Sequence, residues 1–229
     1  MSEVFAESLN YRSTKSRAVA ARSFRTKIAR SSSTKFVDGD TINIDLPGDM
    51  PGTYYNFNQM YLKFKVKNAN SAPVNLDRCG AASFIKRTQI SQSGAQLFEL
   101  NNWNVLYTAL LDTDASPQWK ASTGNILQGT RGDSLTGEEI GQDKDRVFCV
   151  PMVLTPLSNT TPHRLIPAFS LAALNFKIQL ENAPVASSGS SIDNGSFEFS
   201  DVEMVSLMTQ LSPGAQARVD QMNGFSVTN

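Results

Sequence analysis

Histidine and cysteine are almost missing from this chain of 229 residues, which has one His, His163, and two Cys, Cys79 and Cys149. The cysteines stand far apart, with no CxxC spacing and no second histidine, and this excludes a zinc site built from them. A nucleophilic triad would have to use His163 as its base, and that residue lies between Pro162 and Pro167 in a polar stretch. No GxSxG, Walker A or GxGxxG sequence occurs, and no pair of carboxylates stands out as an acid–base couple. The reading is therefore of a protein that is not an enzyme and holds no cofactor or metal. Long apolar runs are also lacking. Residues 1–30 have no continuous hydrophobic segment of the kind a secretion signal needs, and no stretch reaches the length of a membrane span. The sequons at Asn159 and Asn194 then read as chance.

Charge is present but unevenly placed. Of 21 bases, eight lie in residues 1–35: Arg12, Lys15, Arg17, Arg22, Arg25, Lys27, Arg30 and Lys35. Only two of the 21 acids, Glu3 and Glu7, lie there, so the remainder carries 13 bases against 19 acids, a formal −6. Residues 1–35 read as a basic arm, extended or ordered only on contact, with a thin helical stripe of Val19, Phe24 and Ile28 within 16–30. The eight cations are the candidate residues for contact with nucleic acid or an inner surface. Three partners suit such an arm: a packaged genome, an anionic membrane, or the acidic body of a neighbouring copy.

After the arm the chain alternates. Ile42, Ile44 and Leu46 share one strand face, as do Met60, Leu62, Phe64 and Val66, and Leu174, Phe176, Ile178 and Leu180. Lys63, Lys65 and Lys67 fall on the opposite, solvated face of their strand and read as lysines that blunt a sheet edge. Residues 84–100 predict a hairpin turning at Ser93-Gly94. Trp103, Leu106, Tyr107, Leu110 and Leu111 have helical spacing behind Asn101 or Asn102 as N-cap, which predicts a helix over 101–112 packed on the sheet. Residues 113–145 read as a long polar loop containing Arg131-Gly132-Asp133 and a scatter of acids. Residues 146–157 are apolar in both phases and predict a strand buried on both faces or covered by a neighbour, with Cys149 as a reduced core thiol. Residues 197–211 predict a last strand bent near Ser200-Asp201, and Ser212-Pro213 predicts a short terminal helix. Several strands, Gly/Pro loops and no βαβ rhythm give an all-β class: an antiparallel sandwich or jelly roll over 36–211, followed by a tail at 212–229.

The order of these features carries a resemblance. "FVDGDTINIDLP", "GTYYNFNQMYLKFKVKN", "FIKRTQISQSGAQLFELNNWNVLYTALLD", "RLIPAFSLAALNFKIQLE" and "FSDVEMVSLMTQLSPGAQ" follow one another. This resembles the N-terminal jelly roll of double-jelly-roll major capsid proteins, of the tectivirus–adenovirus lineage and its virophage-like and polinton-like relatives. The resemblance implies an eight-stranded jelly roll and a structural capsid role in an icosahedral virion. It also implies self-association into trimeric or hexagonal capsomers, other capsid proteins such as pentons as partners, and a tail leading towards a second jelly roll. A carbohydrate- or receptor-binding jelly-roll module is the alternative, with Trp119 and Tyr54-Tyr55 as its candidate aromatic platforms.

Overall fold

The computed structural model describes residues 21–30, 33–132, 136–158, 165–171, 173–182 and 197–223. His163, Asp133, both sequons and Arg12, Lys15 and Arg17 lie outside them.

The longest strands are the ones whose sequence alternates longest. β4 (Thr53–Asn68) and β12 (Phe197–Leu211) pair antiparallel and form the middle of the first sheet. Along the far side of β12 run β1 (Ala21–Ala29) and then β2 (Lys35–Val37). Along the far side of β4 run β9 (Asp145–Pro151) and β10 (Ile166–Pro167). The second sheet has the order β3 (Thr41–Leu46), β11 (Leu174–Leu180), β6 (Ile85–Gln92), β7 (Ala95–Asn101). Two antiparallel sheets of four rows, with chain neighbours distributed between them, are a jelly roll. A small ribbon of β5 (Val74–Asp77) and β8 (Thr136–Ile140) lies outside both sheets.

The inward rows meet in one core. Ile42, Leu62, Phe64, Phe176 and Ile178 are all at most 2% exposed. Phe64 lies at the centre, with ring centroids of Phe84, Phe148 and Phe199 at 6.5, 6.2 and 6.1 Å. Both long strands change phase. β12 shifts register between Ser200 and Glu203, where Asp201 takes φ 50°, which is the bend expected from the sequence. β4 buries Tyr55 and Phe57, then Met60 and Leu62, so Asn58 and Gln59 absorb one step of its alternation. The hairpin turn has Ser93 at φ 49° and Gly94 at φ 84°, the two left-handed residues that a tight two-residue turn requires.

Three expectations need correcting. The arm does not extend to residue 35 as a free or helical segment: Ala21–Ala29 is an edge strand in full register with Leu211–Glu203. Phe24 and Ile28 are four apart, a spacing that shares one face in a strand as well as in a helix, and β12 offers a ladder of hydrogen bonds. Residues 113–145 are not one loop. They hold the end of α1 (Trp103–Asp114), then α2 (Pro117–Ala121), α3 (Thr123–Gln128) and β8. Helices this short show no periodicity, although Ser116 before Pro117 is a cap signal, and its hydroxyl accepts from the Trp119 amide at 3.2 Å. Finally, β9 is not covered on both faces. Phe148 and Val150 face inward, while Val147 is 47% exposed and Cys149 half-buried, because the latter two alternate onto the outer face of the first sheet, away from the core. The terminal helix is present as α4 (Pro213–Asn223), with the Ser212 hydroxyl accepting from the Ala215 amide at 3.4 Å.

Candidate interaction surfaces

Five of the eight arm cations are described, and each has a partner in its own chain. On β1, Arg25 and Lys27 project to the outer face of the first sheet. The Arg25 guanidinium lies 5.8 Å from the Tyr61 ring centre, and Lys27 Nζ lies 3.6 Å from Glu203 on β12. Arg22 sits 5.6 Å from the ring of Phe24. Arg30 donates to the Ser33 carbonyl, and Lys35 pairs with Glu198 at 3.5 Å. The structure therefore brings Arg25, Lys27 and Lys35 onto one sheet face but pairs two of them with acids of β12.

The rest of that face repeats the pattern. Lys63, Lys65 and Lys67 stand on β4, a central strand, so they do not blunt an edge. Lys63 reaches the same Glu203 at 3.3 Å, Lys65 pairs with Asp145, and Lys67 lies 3.7 Å from Asp143. The hydrogen bond between Lys65 and Asp145 holds the Asp145 carboxyl below its ordinary value and the Lys65 ammonium above its own. Three of the four acids of 138–145 are thus ion-pair partners: Asp143, Asp145 and Glu138, the last bound to Arg146. Between the charges sit half-buried Tyr61, Val205 and Leu207. The outer face of the second sheet is different. It is a mesh of amides and carboxylates in which Gln89 donates to Gln96 at 2.8 Å, Gln96 to Glu99 at 2.8 Å, and Asn175 to Asp45 at 2.6 Å.

The third surface is the helical cap between β7 and β9. The spacing of α1 predicts its buried stripe only in part: Trp103, Tyr107 and Leu111 are buried, Leu110 is half-buried, and Leu106 is 43% exposed. Trp103 and Tyr107 stack at 4.7 Å. The N-cap position falls on Asn102, but in a left-handed conformation and without a side-chain cap. Beneath the helix the Tyr107 hydroxyl donates to Gln128 at 2.9 Å, and burial pushes the Cys79 thiol up to about 12, an inert protonated form. Gly80 is required beside it: a Cβ there would lie 2.0 Å from the Gln128 carbonyl, and φ is +63°. A groove of 720 Å³ runs between α1, α2 and the chain leaving β9. The sequence reading missed this groove because its walls come from segments far apart in the chain.

The candidate lectin aromatics have other uses. Tyr55 is buried and donates to the Pro47 carbonyl at 2.7 Å, and Tyr54 meets Phe169 edge-on at 5.7 Å. Trp119 packs half-buried against the core. Among the described residues no three His, Cys, Asp or Glu side chains gather as metal ligands, and no helix is long and apolar enough to cross a membrane.

No family model matches the chain, and no curated protein matches it. Solved structures do. The crystal structure of VP54 from PBCV-1, fitted into a cryo-EM reconstruction of the virophage Sputnik, matches with a TM-score of 0.60 at 14% identity, covering 90% of this chain and 46% of that one. The quasi-atomic PBCV-1 virus capsid matches with a TM-score of 0.57 at 15% identity, covering 88% of this chain and 45% of that one. The chain has the jelly-roll fold of viral major capsid proteins. In particular it is similar to PBCV-1 VP54, and it spans about half the length of the solved chains it matches.

Proposed function

We propose that the chain is a structural capsid protein that self-associates into capsomers of an icosahedral virus shell, and that its place is the virion. The observation that carries this reading is the sheet order (β1/β2)–β12–β4–(β9/β10) against β3–β11–β6–β7, superposable over 90% of the chain on PBCV-1 VP54. The surfaces support it. One sheet face mixes half-buried apolar residues with paired charge, the other is mainly polar with Leu97 exposed on β7, and the cap exposes apolar side chains, as a subunit with several neighbours requires. Assembly with other capsid proteins such as pentons belongs to the same proposal.

The eight cations divide by position. Arg22, Arg25, Lys27, Arg30 and Lys35 stabilise the edge strand and its loop. Arg12, Lys15 and Arg17, with no acid between residues 8 and 37, are the ones left to meet phosphate of a genome or an anionic inner surface. The reading is tested by sedimentation and electron microscopy of the purified chain. Oligomers, capsomers or shells are expected. A monomer at every concentration that instead binds glycans would establish the carbohydrate-binding alternative.

A further inference from the structure

Among the described residues, the cap carries the two most exposed large apolar side chains: Ile126 on α3, 73% exposed, and Val105 on α1, 66% exposed. It also carries the 720 Å³ groove, walled by Tyr107, Leu110, Leu111, Trp119, Val153 and Leu154. An apolar side chain in water and an apolar groove each gain free energy when covered. Singly, neither says what covers it.

Charge supplies that information. Asp114 is the one carboxylate lining the groove, and among the described residues its side chain has no ion pair or hydrogen-bond partner. Arg131 is exposed and likewise unpaired, unlike Arg78 and Arg146, which bind Asp112 and Glu138. Arg131 leaves the same turn as Ile126. The Asn125 amide donates to the Thr130 carbonyl at 3.0 Å and the Thr130 hydroxyl to the Lys120 carbonyl at 2.8 Å, so the turn is fixed against α2 and α3. Among the described residues, one chain thus carries an apolar projection followed by a cation without a partner, and an apolar groove with a carboxylate without one.

We infer that the Ile126–Arg131 turn of one copy seats in the groove of a second copy, with Ile126 against the apolar walls and Arg131 paired with Asp114. The occupant is a second copy because both complementary halves, apolar and charged, belong to this chain. Projection and groove are different patches, so the contact is head-to-tail, and repeated with a closing rotation it makes a ring. The inference rests on the capsid reading and names the surface through which its subunits meet.

The test uses the full chain and its variants Ile126→Asp, Arg131→Asp and Asp114→Arg, with sedimentation velocity over a concentration series. All three positions are on the surface, and thermal melts check that each variant folds. Each single substitution is expected to weaken self-association by at least about tenfold. The double variant R131D/D114R is expected to return it to within about threefold of the unmodified chain, because the reversed charges meet again across the contact. Unchanged association in the single variants, or no recovery in the double, overturns the inference and leaves the capsid reading standing. An unmodified chain that stays monomeric throughout overturns both. Association lost on deleting residues 1–20 but indifferent to the three substitutions would assign self-association to the amino-terminal segment and overturn the contact through the groove.

Discussion

Phe64 is 2% exposed and touches Phe148 and Phe199 of its own sheet and Phe84 of the 3-10 turn that enters β6, so it joins elements that are distant in sequence. Phe64→Ala removes that junction and leaves a cavity in a rigid barrel. The expected loss is about 3–5 kcal/mol of unfolding free energy, read from denaturant melts; a loss below about 1 kcal/mol would mean the core is not continuous there. Asp145 gives a residue-level prediction of another kind. Its carboxyl, hydrogen-bonded by Lys65, is held below its ordinary 3.8. A depressed carboxylate stabilises the fold above the unfolded value, and that contribution disappears as pH falls through the depressed one. Lys65, raised above 10.5, acts in the opposite sense: its contribution is complete below that value and disappears as pH rises through the raised one. A carbon NMR titration should place the Asp145 midpoint under 3.8, and a midpoint at or above it would mean the pair does not form in solution. Phe64 was legible in the sequence from its alternating neighbours. The partner of Lys65 was not, since Asp145 is brought beside it only by the pairing of β4 with β9.

At the scale of elements, the edge strand is the informative case. β1 holds nine residues against β12, and its Phe24 and Ile28 face the core. Deleting residues 1–20 should leave a cooperative melt. Deleting residues 1–29 should not, because it uncovers the ladder of β12 and the inner side chains Met204 and Met208. Equal melting temperatures for the two truncations would show that β1 is dispensable. The strands with clean alternation, β3, β11 and the second half of β4, were readable because each buries one face only. β1 was not: its cations dominate the composition, and a spacing of four fits two periodicities. α2 and α3 escaped because five and six residues are too few to show a period.

At the scale of the molecule, the sequence alone determined that the chain is all-β, that its inward rows form a core, and that charge is concentrated at one end. Those properties depend on local alternation and on composition, and both can be counted along a chain. Only the tertiary structure decided that the basic segment from Ala21 onward is part of the barrel and that the lysine row on β4 is matched by acids of β9, β12 and the β8–β9 loop. It alone formed a groove from α1, α2 and the end of β9. Each of these depends on which strands lie side by side, and that order is set by closing two sheets over one interior, a condition no single segment carries.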